Sequence, residues 1–232
     1  MAFISLEDKH LTVLNLFTTD APENQDRLVE EMTKIVDAAT YEGWMNSTVH
    51  AGVDSLGTCN FIQWRSGEDL ERRYEGEEFK HRTLPVFGEI TTSIKLLQNE
   101  VAYTVTSDAL AGKVEIGPHR DDYTVLGVFS VTDDGQDEAI DALGKGQEFL
   151  AEIPGFRSHV VLKGLRARGL DGKFVVSYAQ WDSKESYEAY RDQASEQQSA
   201  AREKAQNRVS AVSAGDPYIN TYTVVHSRSA SE

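Results

Sequence analysis

Thr12-Val13-Leu14-Asn15-Leu16-Phe17 returns 112 residues later as Thr124-Val125-Leu126-Gly127-Val128-Phe129. The echo continues in the same order along the chain. Gln63-Trp64-Arg65-Ser66-Gly67-Glu68 comes back as Gln180-Trp181-Asp182-Ser183-Lys184-Glu185, and Tyr103-Thr104-Val105 as Tyr222-Thr223-Val224. The offset drifts from 112 to 117 to 119, so the second copy carries small insertions, which chains accommodate in loops. A repeat of this length is too long for a solenoid unit and suits a compact domain, so the chain reads as a fused dimer of one small fold. The predicted division is a first unit over 1–108, an exposed linker over 109–121 that carries Gly112, Gly117 and Pro118, and a second unit over 122–232.

Local patterns fill in each unit. In the first, Leu11 to Thr19 is a β-rich run, and Asp20-Ala21-Pro22-Glu23 has the residues of a helix start. Leu28, Met32, Ile35 and Ala39 then recur at helical spacing, an apolar stripe that must lie on a sheet, before Gly43 ends the helix. Trp44–Val53 and Thr58–Arg65 are predicted strands joined through Asp54-Ser55-Leu56-Gly57. Helical material from Gly67 to about Ile90, broken near Pro85, leads to a last strand from Ile94 to Thr106. The second unit predicts strands Tyr123–Thr132, Phe156–Leu165, Lys173–Trp181 and Tyr218–His226, with helices at about Asp137–Glu152 and from Ser183 to about Val209. The order β-α-β-β-α-β is ferredoxin-like. Its helices cover one face of the sheet, and the other apolar face needs a partner. Two copies in one chain therefore predict an α+β fold in which the two sheets close an intrachain barrel.

Composition narrows the function classes. With 232 residues, 40% hydrophobic and 26% charged, there is apolar material for two modest cores. No window approaches the ~20 apolar residues of a membrane span, and Met1 to His10 lacks the pattern of a secretory signal, so the cytoplasm is the expected location. Cys59 is flanked by apolar strand residues and reads as a buried thiol. The six histidines are scattered, and neither a metal motif nor a glycine-rich dinucleotide turn occurs. A net charge of −15 argues against nucleic acid and anionic membranes as partners.

The β-α-β-β-α-β unit, the repeated Gln-Trp-x-Ser-x-Glu and the Tyr-Thr-Val of each final strand resemble the antibiotic biosynthesis monooxygenases, small proteins of dimeric α+β barrel type. The resemblance covers each half once. It implies oxidation of an anthrone-type polyketide intermediate to a quinone by dioxygen, with no metal, flavin or nicotinamide, in a pocket between sheet and helices. Pairing of the two copies within the chain leads to the expectation of a monomeric pseudo-dimer or a homodimer of barrels. The family's polar set is an asparagine four positions before the strand-end tryptophan, that tryptophan, a tyrosine six positions after it and a later arginine. The first copy matches with Asn60 and Trp64, but has Leu70 at the tyrosine position, with Tyr74 one turn further and His81 and Arg82 as basic candidates. The second matches with Trp181 and Tyr187, but has Ser177 for the asparagine and Arg202 as its nearest arginine. Asn60, Trp64, Trp181 and Tyr187 are therefore the expected catalytic residues, and Tyr74, His81, Arg82 and Arg202 the expected substrate-binding ones.

Each residue also has a plainer reading. Asn60, Ile62 and Trp64 share one strand face, as do Ser177, Ala179 and Trp181, so both tryptophans are candidates for core packing. Tyr74 and Tyr187 suit half-buried anchors on amphipathic helices, and Lys80-His81-Arg82 suits a solvated basic patch. His159 is a reserve candidate, expected inside the barrel. Two functions remain, a cofactor-independent oxygenase and a non-catalytic binding or partner module. Haem degradation, which would use Asn15 with Trp64, wants a histidine about ten residues after the tryptophan, where Tyr74 and Arg191 stand.

Overall fold

The computed structural model describes residues 2–76 and 84–230. In chain order the elements are β1 (Ala2–Ile4), β2 (Leu11–Thr18), α1 (Pro22–Ala38), β3 (Trp44–Gly52), β4 (Gly57–Trp64), α2 (Gly67–Glu75), α3 (Leu84–Ile90), β5 (Ser93–Thr106), β6 (Val114–Ile116), β7 (Tyr123–Val131), α4 (Gln136–Leu143), β8 (Phe156–Arg168), β9 (Lys173–Trp181), α5 (Lys184–Arg191), α6 (Ala200–Ala211) and β10 (Tyr218–Ser229). Eight strands close an antiparallel barrel in the order β10-β3-β4-β2-β5-β8-β9-β7. Each half contributes its own four-stranded ferredoxin-like sheet, and the two sheets join where β5 pairs with β8 and β10 pairs with β3. Because β5 and β10 each serve two sheets they are long, 14 and 12 residues, and β8 runs to Arg168, beyond the predicted Leu165, to follow β5.

Strand alternation sends one set of side chains into the barrel and the other toward the helices. Leu14, Leu16, Phe61, Leu97, Leu126, Leu162, Phe174 and Tyr178 form the common interior. Cys59 lies among them, and burial pushes its thiol up, so it stays protonated and inert. Both sheets pack this one core, which is why neither half is complete alone.

The repeated Gln-Trp-x-Ser-x-Glu acquires a physical meaning here. Its glutamine faces the barrel, where Gln63 accepts from Asn46 and Gln180 from Ser158, each at 2.5 Å. Its tryptophan turns to the helices, and its serine caps the next helix: Ser66 Oγ accepts from the Asp69 amide and Ser183 Oγ from the Ser186 amide. Gly43 (φ +77°) and Gly155 (φ +81°) recur ahead of β3 and β8, where a Cβ would collide with Asp69 and Ser186 of those capped helices at 2.2 and 2.3 Å.

Two expectations need correction. The stretch 109–121 is not exposed throughout: β6 within it pairs with β1, and Ala2, Ile4, Val114 and Ile116 are buried against the barrel interior. An apolar Val-x-Ile triplet between glycines is a strand signal that the glycines masked. The single helix expected over Asp137–Glu152 ends instead at Leu143, and a 3-10 stretch follows over Lys145–Glu152. Gly144 leaves helical geometry (φ −82°, ψ −96°) because its Cα sits against the Tyr103 ring, where a Cβ would approach to 2.8 Å. The helical region after Gly67 divides into α2 and α3, with Pro85 in the first turn of α3, where its missing N–H is harmless.

Candidate active site

Asn15 on β2 and Asn60 on β4 are direct cross-strand partners. Their strand neighbours Leu14, Leu16, Cys59 and Phe61 point into the barrel, so both amides point out toward the helices. There they form the floor of a cavity of about 80 Å³ as traced by the centre of a water molecule. Met32, Val36 and Ala39 from the α1 region wall one side, Leu70, Arg73 and Tyr74 from α2 another, with Phe87 of α3 and Ile62, Trp44 and Trp64 of the sheet. Tyr41 stacks over Trp64 (centroids 6.4 Å apart, 26° between planes), and the Arg73 guanidinium lies 4.1 Å from the Tyr41 centroid.

The polar groups of this cavity are few. Asn60 is 5% exposed and Trp64 3%. The side-chain oxygens of Asn15 and Asn60 and the Nε1 of Trp64 have no hydrogen-bond partner, and each such buried group costs roughly 1–3 kcal/mol. Trp44 differs, since its Nε1 donates to Ser47 Oγ at 2.9 Å. Burial pushes the Tyr74 phenol up to about 12, so at neutral pH it is a donor and not a base. Among the described lining residues there is no carboxylate and no histidine.

The same place in the second half is built differently. Register equates Asn15 with Gly127, Asn60 with Ser177 and Ser47 with His159. The Phe129 ring occupies the space above Gly127, 2.8 Å from where a Cβ would stand. Trp181 is packed by Tyr190 (5.3 Å, 27°), Phe156 (5.6 Å) and Tyr187 (5.8 Å), and Tyr187 also meets Tyr123 at 5.9 Å. These rings stand where the first half has Trp44, Trp64, Leu70 and Arg73, which line its cavity. His159 faces the helices, not the barrel interior as expected, because Ser158 and Val160 on either side of it take the inward positions, Ser158 donating to the barrel-facing Gln180. Its Nε2 lies 2.7 Å from Ser177 Oγ, and burial holds the ring neutral, down to about 4. The histidine inside the barrel is His50, whose Nδ1 faces the carbonyls of Thr48 and Cys59 and therefore carries the hydrogen, leaving Nε2 to accept from the Tyr178 hydroxyl at 2.8 Å.

The structure thus gathers Asn60, Trp64 and Tyr74 around one cavity and places Trp181 and Tyr187 in an aromatic cluster of the other half. Arg202 ties α6 to the end of α5: it donates to the carbonyls of Tyr190 (2.6 Å) and Arg191 (3.1 Å) and stacks on Tyr190. His81 and Arg82 lie outside the described residues. Sequence reasoning attached Asn15 only to the haem reading and missed Tyr41, Trp44 and Arg73. Asn15 had a detectable signal, an amide amid an apolar strand where the second copy has glycine. The other three sit in a loop, at a strand start and on a helix, and nothing in their spacing marks them.

The antibiotic biosynthesis monooxygenase family matches residues 122–204. A solved structure described as an anthrone oxidase-like protein is 76% identical, covers 100% of this chain and 98% of its own, and superposes with a TM-score of 0.98. The chain belongs to the antibiotic biosynthesis monooxygenase family. A provisional monooxygenase from Fusobacterium nucleatum is 10% identical with a TM-score of 0.62, covering 95% of this chain and 94% of that one. A major regulator of staphylococcal pathogenesis is 11% identical with a TM-score of 0.54, covering 93% and 99%. These two share the fold alone, and they carry different roles on it. No curated protein matches the chain significantly. No helix among the described residues is long and apolar enough to cross a membrane.

Proposed function

We propose that this monooxygenase-family chain is a cofactor-independent oxygenase that converts a polycyclic aromatic of anthrone type, a polyketide-like intermediate of antibiotic biosynthesis, to its quinone, using the first-half cavity and acting as a monomer whose halves form the pseudo-dimer. The observation that carries this reading is the cross-strand pair Asn15 and Asn60, with Trp64, on the floor of a cavity that is otherwise apolar and aromatic. Aromatic walls, with Tyr41, Trp44, Trp64, Tyr74 and Phe87 among them, suit a fused-ring substrate. The Trp64 indole N–H and the amide NH₂ groups suit its carbonyl oxygen, the unpartnered Asn15 and Asn60 oxygens suit its hydroxyl groups, and the N–H donors strengthen as charge develops in a site closed to bulk water.

The chemistry follows from the substrate's own electron richness. The methylene carbon between the rings loses a proton to water, and the resulting enolate is stabilised at its oxygen by the amide and indole donors. The enolate gives one electron to dioxygen, the two radicals combine in a C–O bond, and the peroxide takes up a proton. Loss of water leaves a carbonyl, so that CH₂ and O₂ become C=O and H₂O. The protein's share is to hold the ring system flat, to keep the oxyanion solvated by fixed dipoles and to exclude competing reactions.

One observation favours a second reading, a non-catalytic small-molecule-binding module on the same barrel: the described lining residues offer no carboxylate or histidine to take the proton. The test is turnover of a dithranol-like anthrone by the purified, exhaustively chelated protein. The oxygenase reading expects a rate well above spontaneous oxidation. A rate equal to the spontaneous one, with tight binding of the quinone product, would leave the binding module.

A further inference from the structure

We infer that Arg228, on the last strand of the second half, is a positioning residue for the cavity of the first half. The inference rests on reading that cavity as the ligand site. Helix α1 ends poorly by itself: its last turn has no basic residue, and its C-cap is Ala39 in an extended conformation (φ −64°, ψ 118°), with no glycine to turn the chain back. The missing cap arrives from 189 residues away. Arg228 Nη1 donates to the carbonyls of Val36 (2.9 Å) and Ala39 (2.7 Å), bringing a cation to the negative end of the helix, and its guanidinium carbon lies 5.2 Å from the Trp44 ring centroid. Val36, Ala39 and Trp44 all line the cavity. One side chain from β10 therefore fixes the end of α1 and braces the tryptophan beside it. The next residues in the chain lead to Tyr41, which closes over Trp64.

The second half has no counterpart. Strand register equates Arg228, which pairs with Ser47, with Val105, which pairs with His159, and a valine side chain has no donor to offer. The end of α4 is shaped instead by Gly144 against Tyr103. The clamp exists only on the side where the cavity is open.

His226 supplies an internal control. It reaches the same helix from the same strand, with Nε2 2.8 Å from Asp37 Oδ1, but Asp37 does not line the cavity. The experiment uses the full chain and its variants Arg228→Gln, Arg228→Lys and His226→Gln. Binding of 1,8-dihydroxyanthraquinone is followed by tryptophan quenching, anthrone turnover by kcat and KM, and stability by Tm. Arg228→Gln should weaken quinone binding and raise KM by about tenfold, with a smaller change in kcat. Arg228→Lys should recover part of the loss, since it keeps the charge and a donor but not the plane over Trp44. His226→Gln should bind like the parent whatever its Tm. If both Arg228 variants bind and turn over like the parent while Tm falls, Arg228 is only a structural cap and the inference is overturned. A parent that does not bind the quinone at all would instead remove the cavity reading on which the inference stands. Should Arg228→Gln fail to fold, Arg228→Lys against His226→Gln carries the same decision.

Discussion

The outward face of β2 and β4 and the outward face of β7 and β9 descend from one plan and end in opposite states. In the first half, Asn15 and Asn60 stand side by side under an open cavity with side-chain oxygens that no protein group satisfies. In the second, Gly127 under the Phe129 ring and Ser177 beside His159 hold those positions, and Phe156, Tyr187 and Tyr190 pack around Trp181 in ring-to-ring contact. Each such aromatic pair contributes roughly 0.5–1.5 kcal/mol beyond burial, whereas each orphaned polar group costs roughly 1–3 kcal/mol, in the second half too, where Trp181 Nε1 and His159 Nδ1 have no partner. A homodimer could not divide these properties between its subunits. A fused barrel with one shared interior can.

The largest expected effect tests the packing side of that contrast. His50 in the shared interior and His159 in the second half are both held neutral by burial, at about 4 against a free value of 6.5. Between those values the unfolded chain binds protons that the folded chain refuses, so stability is complete above pH 6.5 and falls as the pH drops through this window. At pH 5 the loss comes to about 2 kcal/mol per histidine. Putting the first half's residue in place, His159→Ser, should remove about half of this acid sensitivity, measured as the change in unfolding free energy between pH 7 and 5. An unaltered pH dependence in that variant would contradict the assignment. Unfolding itself should be a single cooperative transition, because both sheets bury their inner faces in one shared interior.

Next in size is the catalytic contrast. Asn60→Ala should lower anthrone turnover by about 10²-fold, as removing one oxyanion donor does, with little change in Tm. Ser177→Ala at the matching position should leave turnover intact. Equal losses in the two variants, or none in either, would erase the functional distinction between the halves. The smallest effects belong to the aromatic cluster. Trp181→Phe and Tyr187→Phe should each cost about 1 kcal/mol, a Tm decrease of roughly 2–4 °C, while kcat and KM hold. Lost turnover at unchanged Tm for Tyr187→Phe would move the site to the second half.

Much of this was legible in the residues. The repeated phrases fixed the element order because each has a local mechanism: alternation for the strands, a serine cap after each tryptophan, a glycine where helix and strand meet too closely for a Cβ. Asn60 and Trp64 could be placed on one outward face from spacing alone. What spacing could not carry was occupancy. Whether the volume above a strand face is open or filled depends on Phe156, Tyr190 and Phe129, whose rings arrive from a strand start, a helix and a strand neighbour. The buried Val114-Glu115-Ile116 strand and the break at Gly144 were hidden for the same reason, since each is imposed by a contact distant in sequence. Arg228 is the extreme case, a helix cap delivered from the far end of the chain.

The most direct test of the divergence between the halves is a crystal structure of the full chain soaked with 1,8-dihydroxyanthraquinone. The account predicts one quinone per chain, lying between β4 and α1 with its oxygens on Asn15, Asn60 or the Trp64 Nε1, and no ligand between β9 and α5. A quinone seated against Trp181 and Tyr187, or one in each half, would contradict it.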